Sequence, residues 1–147
     1  MSDYIVTLEG TDELLRNLKR ISSDLQGAVA LKAVNAGGIQ IENRARINAP
    51  VKTAALRNSV KTIARMTGNG AEAEIGFRGL VYARIQEFGG TIYARNKPYL
   101  VFQYKGKWHK KKSVTIKGKH YLQKSIDEAK TNAVEAMGNV VKSYLGE

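Results

Sequence analysis

Hydrophobic and polar positions follow two different periods along this chain of 147 residues. The run YIVTL at 4–8 is short and rich in β-forming residues, and Gly10 follows it. Over 12–23, apolar residues then recur at intervals of three and four, at Leu14, Leu15, Leu18 and Ile21. The first pattern predicts a short strand, and the second predicts an amphipathic helix of about three turns.

A second and longer helix is predicted from Asp24, which is a good N-cap, to the residues before Pro50. Its apolar side contains many small residues, namely Ala28, Ala33, Ala36 and Gly37-Gly38. Small side chains allow a neighbouring backbone to approach, so we expect this helix to pack closely against another element. The two glycines each cost about 1 kcal/mol of helix stability relative to alanine and mark the place where a kink would form.

Alternating patterns follow at 59–66 and 71–77, with the turn sequence TGNG between them, and together they predict a β-hairpin. The segment 82–88 is too short to assign from its periodicity, and Gly89-Gly90 ends it. A second hairpin is predicted from strands at 99–104 and 107–116, joined at Lys105-Gly106.

The last part of the chain returns to a helical period. From His120 to Tyr144 the apolar residues step by three or four, which predicts an amphipathic C-terminal helix of about 25 residues. The predicted fold class is α+β, with a small antiparallel sheet packed against the long helix of the N-terminal half and the C-terminal helix. The length fits a single domain over 1–147.

The net charge of +11, from 24 Lys and Arg against 13 Asp and Glu, is concentrated in one place. Residues 88–126 contain no Asp or Glu, whereas the rest of the chain carries 14 basic and 13 acidic residues. The basic residues of this stretch are Arg95, Lys97, Lys105, Lys107, Lys110, Lys111, Lys112, Lys117, Lys119 and Lys124. The second hairpin, over 95–119, is therefore a basic arm on a nearly neutral body.

Three interpretations of this basic arm remain open. Lysines beside Tyr99, Phe102, Tyr104, Trp108 and Tyr121 would suit phosphate contacts and base stacking. They would equally keep a solvated hairpin from pairing with other sheets, or dock it on an acidic protein surface. Because lysines fall at consecutive strand positions, both faces are charged, which predicts a hairpin that projects from the body.

The chain offers little for catalysis, metals or membranes. It has no Cys, and His109 and His120 stand in no ligand pattern. Glu72 and Glu74 share a strand face and could bind a cation, but a solvated face is the simpler interpretation. There is no secretory signal pattern at the N-terminus and no apolar run of about 18 residues. We expect no enzyme activity, no cofactor and no membrane partner.

Three stretches resemble the tail-completion or neck proteins of long-tailed, non-contractile bacteriophages, a gene-product-10-like morphogenesis family. ARINAPVKTAALRNS at 45–59 is similar to the family pattern AR…APV-x-TG-x-LR-x-S, and YARIQEFGG at 82–90 is similar to YA-x-x-x-EFGT. KHYL at 119–122 is similar to RPFL before the terminal helix. The chain departs from these patterns at Ala54, Gly90 and Tyr121.

This resemblance implies a structural virion protein at the head–tail junction, assembled in the host cytoplasm and present in multiple copies, commonly as a ring. The implied partners are further copies of itself, the connector, and head-closure, tail-terminator or tail-tube proteins, with packaged DNA as a further contact of the arm. Structural roles are implied for the motif residues Pro50, Leu56, Arg57, Tyr82, Glu87, Phe88 and Gly89.

Three of these motif residues carry specific expectations, and two alternative functions stay open. Arg57 is a candidate to bond to Glu87, with a solvated Arg57 as the alternative, and Phe88 is expected to anchor its segment in the core. The alternative function is a sequence-independent nucleic-acid-binding protein that uses the basic segment 95–124. A small enzyme with a polar cavity lined by Glu87 and Arg57 is the more distant alternative.

Overall fold

The computed structural model describes residues 2–8, 16–17, 19–21, 23–50, 54–68, 70–79 and 82–146. In chain order the elements are β1 (Ser2–Leu8), α1 (Ser23–Asn48), α2 (Ala54–Ser59), β2 (Val60–Thr67), β3 (Gly70–Arg78), α3 (Tyr82–Phe88), β4 (Gly89–Tyr93), β5 (Leu100–Tyr104), β6 (Lys107–Lys111), β7 (Ser113–Lys117) and α4 (Tyr121–Leu145). The α+β class predicted from the sequence is confirmed, with a long helix, small antiparallel sheets and a C-terminal helix.

The chain divides into two compact units. Met1–Leu80 with Tyr121–Glu147 forms the first, which we call the helix–sheet unit, and Val81–His120 forms the second, which we call the basic unit. A compact unit defined by contacts is not by itself an independently folding domain. The single domain over 1–147 therefore stays a prediction.

Most predicted elements of the helix–sheet unit are confirmed. The strand at 4–8 is β1, the helix before Pro50 is α1, the first hairpin is β2 and β3, and the C-terminal helix of 25 residues is α4. Half of the predicted helix over 12–23 lies outside the described residues, and residues 16, 17 and 19 of the described half are helical. The segment before β2 forms the short helix α2.

The sheet of the helix–sheet unit has three described strands in the order β1-β3-β2, all antiparallel. The central strand β3 is buried over five consecutive residues, which is the pattern expected for a strand covered by its neighbours and by helices. Phe77 is its largest buried side chain, and its ring meets the Tyr121 ring edge-to-face at a centroid distance of 5.2 Å. This contact joins the sheet to the first turn of α4.

Helix α1 packs on α4 and also on β2 and β3, so it forms the centre of the unit. Val29, Ala33 and Val34 of α1 form one cluster with Met137 and Val141 of α4. Burial of such side chains contributes about 25 cal/mol per Å² of apolar surface. The two long helices are therefore held together by apolar contacts, which we call the apolar seam.

The small residues of α1 permit this close packing on both sides. A methyl group at Gly37 would lie 2.7 Å from Met137 Cγ of α4, and one at Gly38 would lie 2.5 Å from Thr62 Cγ2 of β2. Both distances are far below van der Waals contact. The helix runs unbroken through this pair, so the glycines make room for neighbours and do not interrupt the helix.

A polar cluster joins α1 to α4 beside the apolar seam. Glu128 Oε2 accepts hydrogen bonds from Arg44 Nε at 2.5 Å and Asn48 Nδ2 at 2.9 Å. Asn48 Nδ2 also donates to Ser125 Oγ at 3.0 Å. The Arg44 bond first, and then the Asn48 bond, lower the pKa of the Glu128 carboxyl below its ordinary value.

Glu128→Gln is expected to lower the melting temperature slightly at neutral pH and to leave it unchanged in acid. A folded-state pKa below the unfolded one adds stability above the ordinary glutamate pKa of about 4.3, and this stability is lost as the pH falls through the folded value. Thermal melts followed by circular dichroism at pH 7 and near pH 3 would measure the difference. Glu135→Gln is the matched control, because Glu135 is exposed on the same helix and makes no ion pair with a described residue. A difference that persists in acid would contradict this role for Glu128.

The basic unit contains α3 and two separate two-stranded antiparallel pairs, β4 with β7 and β5 with β6. Lys105 (φ 49°) and Gly106 (φ 75°) join β5 to β6, with Tyr104 paired to Lys107. Two central residues with positive φ indicate a two-residue type I′ turn, whose twist matches the flanking strands. The predicted turn at Lys105-Gly106 is confirmed.

The predicted strand over 107–116 is wrong in one respect, because it is two strands separated at Lys112. Only 107–111 pairs with β5, and 113–117 pairs instead with β4. Val114 and Ile116 are half-buried and lie opposite Ile92 and Gly90, whereas most of 107–111 is exposed. The apolar residues of β7 thus select a different partner from the charged residues of β6.

A backbone crossing holds the start of β4 against the end of β7. Gly89 has φ 78°, and a methyl group on it would lie 2.6 Å from Gly118 N. A methyl group on Gly118 would lie 2.5 Å from the carbonyl carbon of Phe88. Two more backbone bonds follow directly, from Lys119 N to Gln86 O at 2.8 Å and from His120 N to Glu87 O at 3.0 Å. Only glycine fits at both sides of this crossing.

Candidate functional site

The nine basic residues predicted for the arm are all exposed and all belong to the basic unit. They lie in several segments and not on one hairpin. Arg95 and Lys97 precede β5, Lys105 is in the turn, Lys107, Lys110 and Lys111 are in β6, Lys112 follows it, Lys117 is in β7 and Lys119 follows β7. We call this set the basic surface.

The basic surface is not neutralised by the described part of the chain. None of its nine residues makes an ion pair with a described residue, and Glu87, the one carboxylate of Val81–His120, is fully buried. The ion pairs seen among the described residues join side chains of the helix–sheet unit. A strong positive potential is therefore expected over the basic unit.

Aromatic side chains stand among these lysines. The Lys110 ammonium lies 4.6 Å from the centroid of the Tyr99 ring, and Lys105 lies 5.5 Å from that of Tyr104. Trp108 is 72% exposed, the highest value among the large hydrophobic side chains described. Cation–π contacts hold an ammonium group in place without cancelling its charge. The surface can thus offer both fixed cations and flat apolar rings to a partner.

The two histidines have aromatic neighbours and not ligand-like ones. His109 stacks on Phe102 at a centroid distance of 5.6 Å, and His120 meets Phe88 edge-to-face at 6.4 Å. Within the described residues, no group of three or more His, Cys, Asp or Glu side chains is arranged to hold a metal ion.

The carboxylates of Glu72 and Glu74 form ion pairs with an arginine of the neighbouring strand, which the sequence did not indicate. Arg65 of β2 lies opposite Glu72 in the strand register, and its guanidinium pairs with both carboxylates. The hydrogen bond that Arg65 Nε donates to the Glu72 carboxylate is the main cause that raises the pKa of Arg65 above its ordinary value. The predicted solvated face is wrong for Glu74, which is buried.

The motif residues of 45–59 lie at the end of α1 and in α2. Pro50 follows α1 and is half-buried, Leu56 is buried in α2, and Arg57 is exposed on the same helix. The structure adds Glu42, whose carboxylate accepts a hydrogen bond from Thr62 N at 2.7 Å and pairs with Arg46. Glu42 ties α1 to β2, and its position inside a long helix gave no signal of this role.

The motif residues of 82–90 lie in α3 and β4. Tyr82 is the first residue of α3, Glu87 is fully buried near its end, and Gly89 begins β4 at the backbone crossing. The expectation that Phe88 is a core anchor is wrong, because its side chain is 46% exposed and lies against the ring of His120. The bond predicted between Arg57 and Glu87 stays a prediction.

Gly118 has a structural role beside Gly89 that the sequence did not indicate. It stands alone between β7 and α4 and looks like an ordinary linker glycine, yet it supplies the other half of the crossing with Gly89. The one available signal was the isolated glycine between a strand and a helix, which indicates a close backbone approach.

No described helix is long and apolar enough to cross a membrane.

Comparison with known proteins identifies one family that this chain matches. No curated protein and no solved structure matches the chain. A protein-family model does match residues 12–89, which is more than half of the chain, and its description is a tail component like gp10 of bacteriophage HK97. This range contains the motif at 45–59 and all of the motif at 82–90 except Gly90, and it ends before the basic surface begins. The chain belongs to the HK97-gp10-like family of bacteriophage tail components.

Proposed function

We propose that this protein is a structural component of the phage head–tail junction that completes the neck or tail and acts in multiple copies. The observation that carries the proposal is the family match over 12–89, together with the motifs at 45–59 and 82–90. Both motifs lie where they determine the path of the backbone. The first covers the end of α1 and the whole of α2. The second covers α3 and Gly89, which is one side of the glycine crossing. Such roles suit a protein that acts through its shape.

Assembly in multiple copies is supported by exposed apolar side chains on α1. Leu25, Ile39 and Ile47 are 49%, 39% and 64% exposed, and their spacing places them toward one side of the helix, with the polar residues Lys32 and Asn43 between them. Large apolar side chains that are exposed on one side of a helix suit contact with other proteins. The proposed partners are further copies of this chain, the connector, and head-closure, tail-terminator or tail-tube proteins.

The deciding experiment removes the protein from the phage. With a nonsense mutation in its gene, infected cells should contain DNA-filled heads and complete tails that remain unjoined in negative-stain electron micrographs. Adding the purified protein to the mixed extract should restore joined particles. Normal virions without the protein, or the absence of tails altogether, would contradict a role at the junction.

Self-association is tested separately on the pure protein. Light scattering after size exclusion should show a multimer, and Ile39→Lys with Ile47→Lys should shift it toward the monomer. Lys130→Glu is a control on an exposed position of α4. A strict monomer at all concentrations would contradict self-assembly of the free protein and would leave assembly on the connector to be tested by the extract experiment.

A further inference from the structure

The basic unit carries a large excess of positive charge, which favours an anionic partner. Its 40 residues contain ten Lys and Arg, and the single carboxylate is buried. Packing so many like charges is unfavourable in the free protein where the described residues supply no ion-pair partners for the basic surface. An anionic partner that takes up several of these charges at once would relieve the repulsion.

The strand register decides how the charges are distributed. In an antiparallel pair, residues opposite each other point to the same face, and successive residues point to opposite faces. One face of the β5–β6 pair therefore carries Leu100, Phe102, Tyr104, Lys107, His109 and Lys111. The other face carries Val101, Gln103, Trp108 and Lys110. Lys105 lies at the tip, so the pair is cationic on both faces and at its end.

We propose that the β5–β6 pair binds duplex DNA as a two-stranded ribbon inserted in a groove, where it contacts phosphates on both sides. The major groove, about 12 Å wide, admits a two-stranded ribbon, and rows of phosphates border it on both edges. Lysines on both faces match two such rows. A flat acidic protein surface would meet only one face and leave the other face's charges unpaired.

We infer that the contact between the ribbon and the duplex does not depend on the DNA sequence. Lysine ammonium groups act as point charges on phosphates, whereas base recognition usually relies on bidentate Arg, Asn or Gln side chains. In the ribbon itself, 100–111, the cations are all lysines. The ribbon lies outside the family-matched range, so this inference goes beyond the proposed function and would stand for any place in the tail.

The test measures binding of the full-length protein to a short fluorescent duplex of mixed sequence by anisotropy, from about 50 to 200 mM salt. We expect a steep loss of affinity with salt. Each lysine that contacts a phosphate contributes about 0.9 to the slope of the logarithm of affinity against that of salt. Lys107→Gln with Lys111→Gln on one face should therefore make the slope less steep by about two, and Lys110→Gln on the other face by about one.

Lys130→Gln with Lys142→Gln is the matched control. Both residues are exposed on α4, and the double substitution gives the same net charge as the double substitution in the ribbon. This control should keep the slope and affinity of the unchanged protein. If it loses as much as the ribbon variant, the binding reflects net charge alone and the proposal is overturned.

Two further outcomes decide between partners. Poly-glutamate serves as a probe for an acidic protein surface, and competition by poly-glutamate as strong as that of duplex DNA, charge for charge, would overturn the proposal. A loss confined to one face of the ribbon would also overturn insertion in a groove. Extract complementation by the ribbon variants separates the two proposals, because a variant that no longer binds DNA but still joins heads to tails leaves the junction role intact.

Discussion

Gly118→Ala is expected to destabilise the protein by about 3 kcal/mol, the upper range for overpacking. Its new methyl group would lie 2.5 Å from the carbonyl carbon of Phe88, 2.7 Å from the carbonyl oxygen of Glu87 and 2.7 Å from the amide nitrogen of Gly89. All three are backbone atoms, so no side chain can rotate away. The strand β7 would have to separate from β4, and the backbone bonds of 119 and 120 to α3 would be strained with it.

Urea unfolding followed by far-ultraviolet circular dichroism measures this loss as a lower midpoint. Gly138→Ala is the control, because nothing lies within 4 Å of a methyl group there. It lies inside α4, where alanine is favoured over glycine by about 1 kcal/mol, so this variant should be slightly more stable. If Gly118→Ala changes the free energy of unfolding by less than about 0.5 kcal/mol, it behaves as an ordinary surface substitution. That result would contradict the close backbone crossing.

The sequence predicted the elements whose signals are local. The period of α4 persists over 25 residues, Pro50 marks the end of α1, and the hairpin of β2 and β3 has alternation on both sides of a turn. Lys105-Gly106 identified a second turn, because the chain must adopt positive φ there. Such signals lie within a few residues of each other, so they can be recognised without the tertiary structure.

The elements that the sequence could not assign depend on distant partners. Helix α3 has seven residues, too few to show a period. Strand β7 pairs with β4 because Val114 and Ile116 find apolar partners more than twenty residues away. The exposure of Glu87 and Phe88 is the opposite of what their hydrophobicity predicts, because the carboxylate is buried and the ring is half exposed. This arrangement follows from tertiary contacts.

The candidate surface was predicted in composition but not in shape. The acid-free stretch located the basic residues, and the structure confirms that all nine of the arm are exposed. Their distribution over two faces of β5–β6 required the register, because a shift by one residue would exchange the faces of Trp108 and His109. The DNA contact and the partner contact of these residues both remain proposals.

Gly38→Ala is expected to cost about 2 kcal/mol in the unchanged chain and to become neutral or stabilising when combined with Thr62→Ser. The new methyl group would lie 2.5 Å from Thr62 Cγ2, and a β-branched side chain has little freedom to move it. Thr62→Ser deletes that methyl group and keeps the hydroxyl. The nearest remaining atom is then Ala73 Cβ at 3.3 Å, which small shifts can accommodate.

A double-mutant cycle on unfolding free energies measures this coupling, which we expect at about 2–3 kcal/mol. Alanine gains about 1 kcal/mol of helix propensity over glycine at this position, and the gain becomes visible only after the clash is removed. Effects that simply add would mean that Gly38 and Thr62 do not touch, and that α1 is not seated on β2 at this point. A coupling of the expected size would show that the small residues of α1 are required by its neighbours on the sheet.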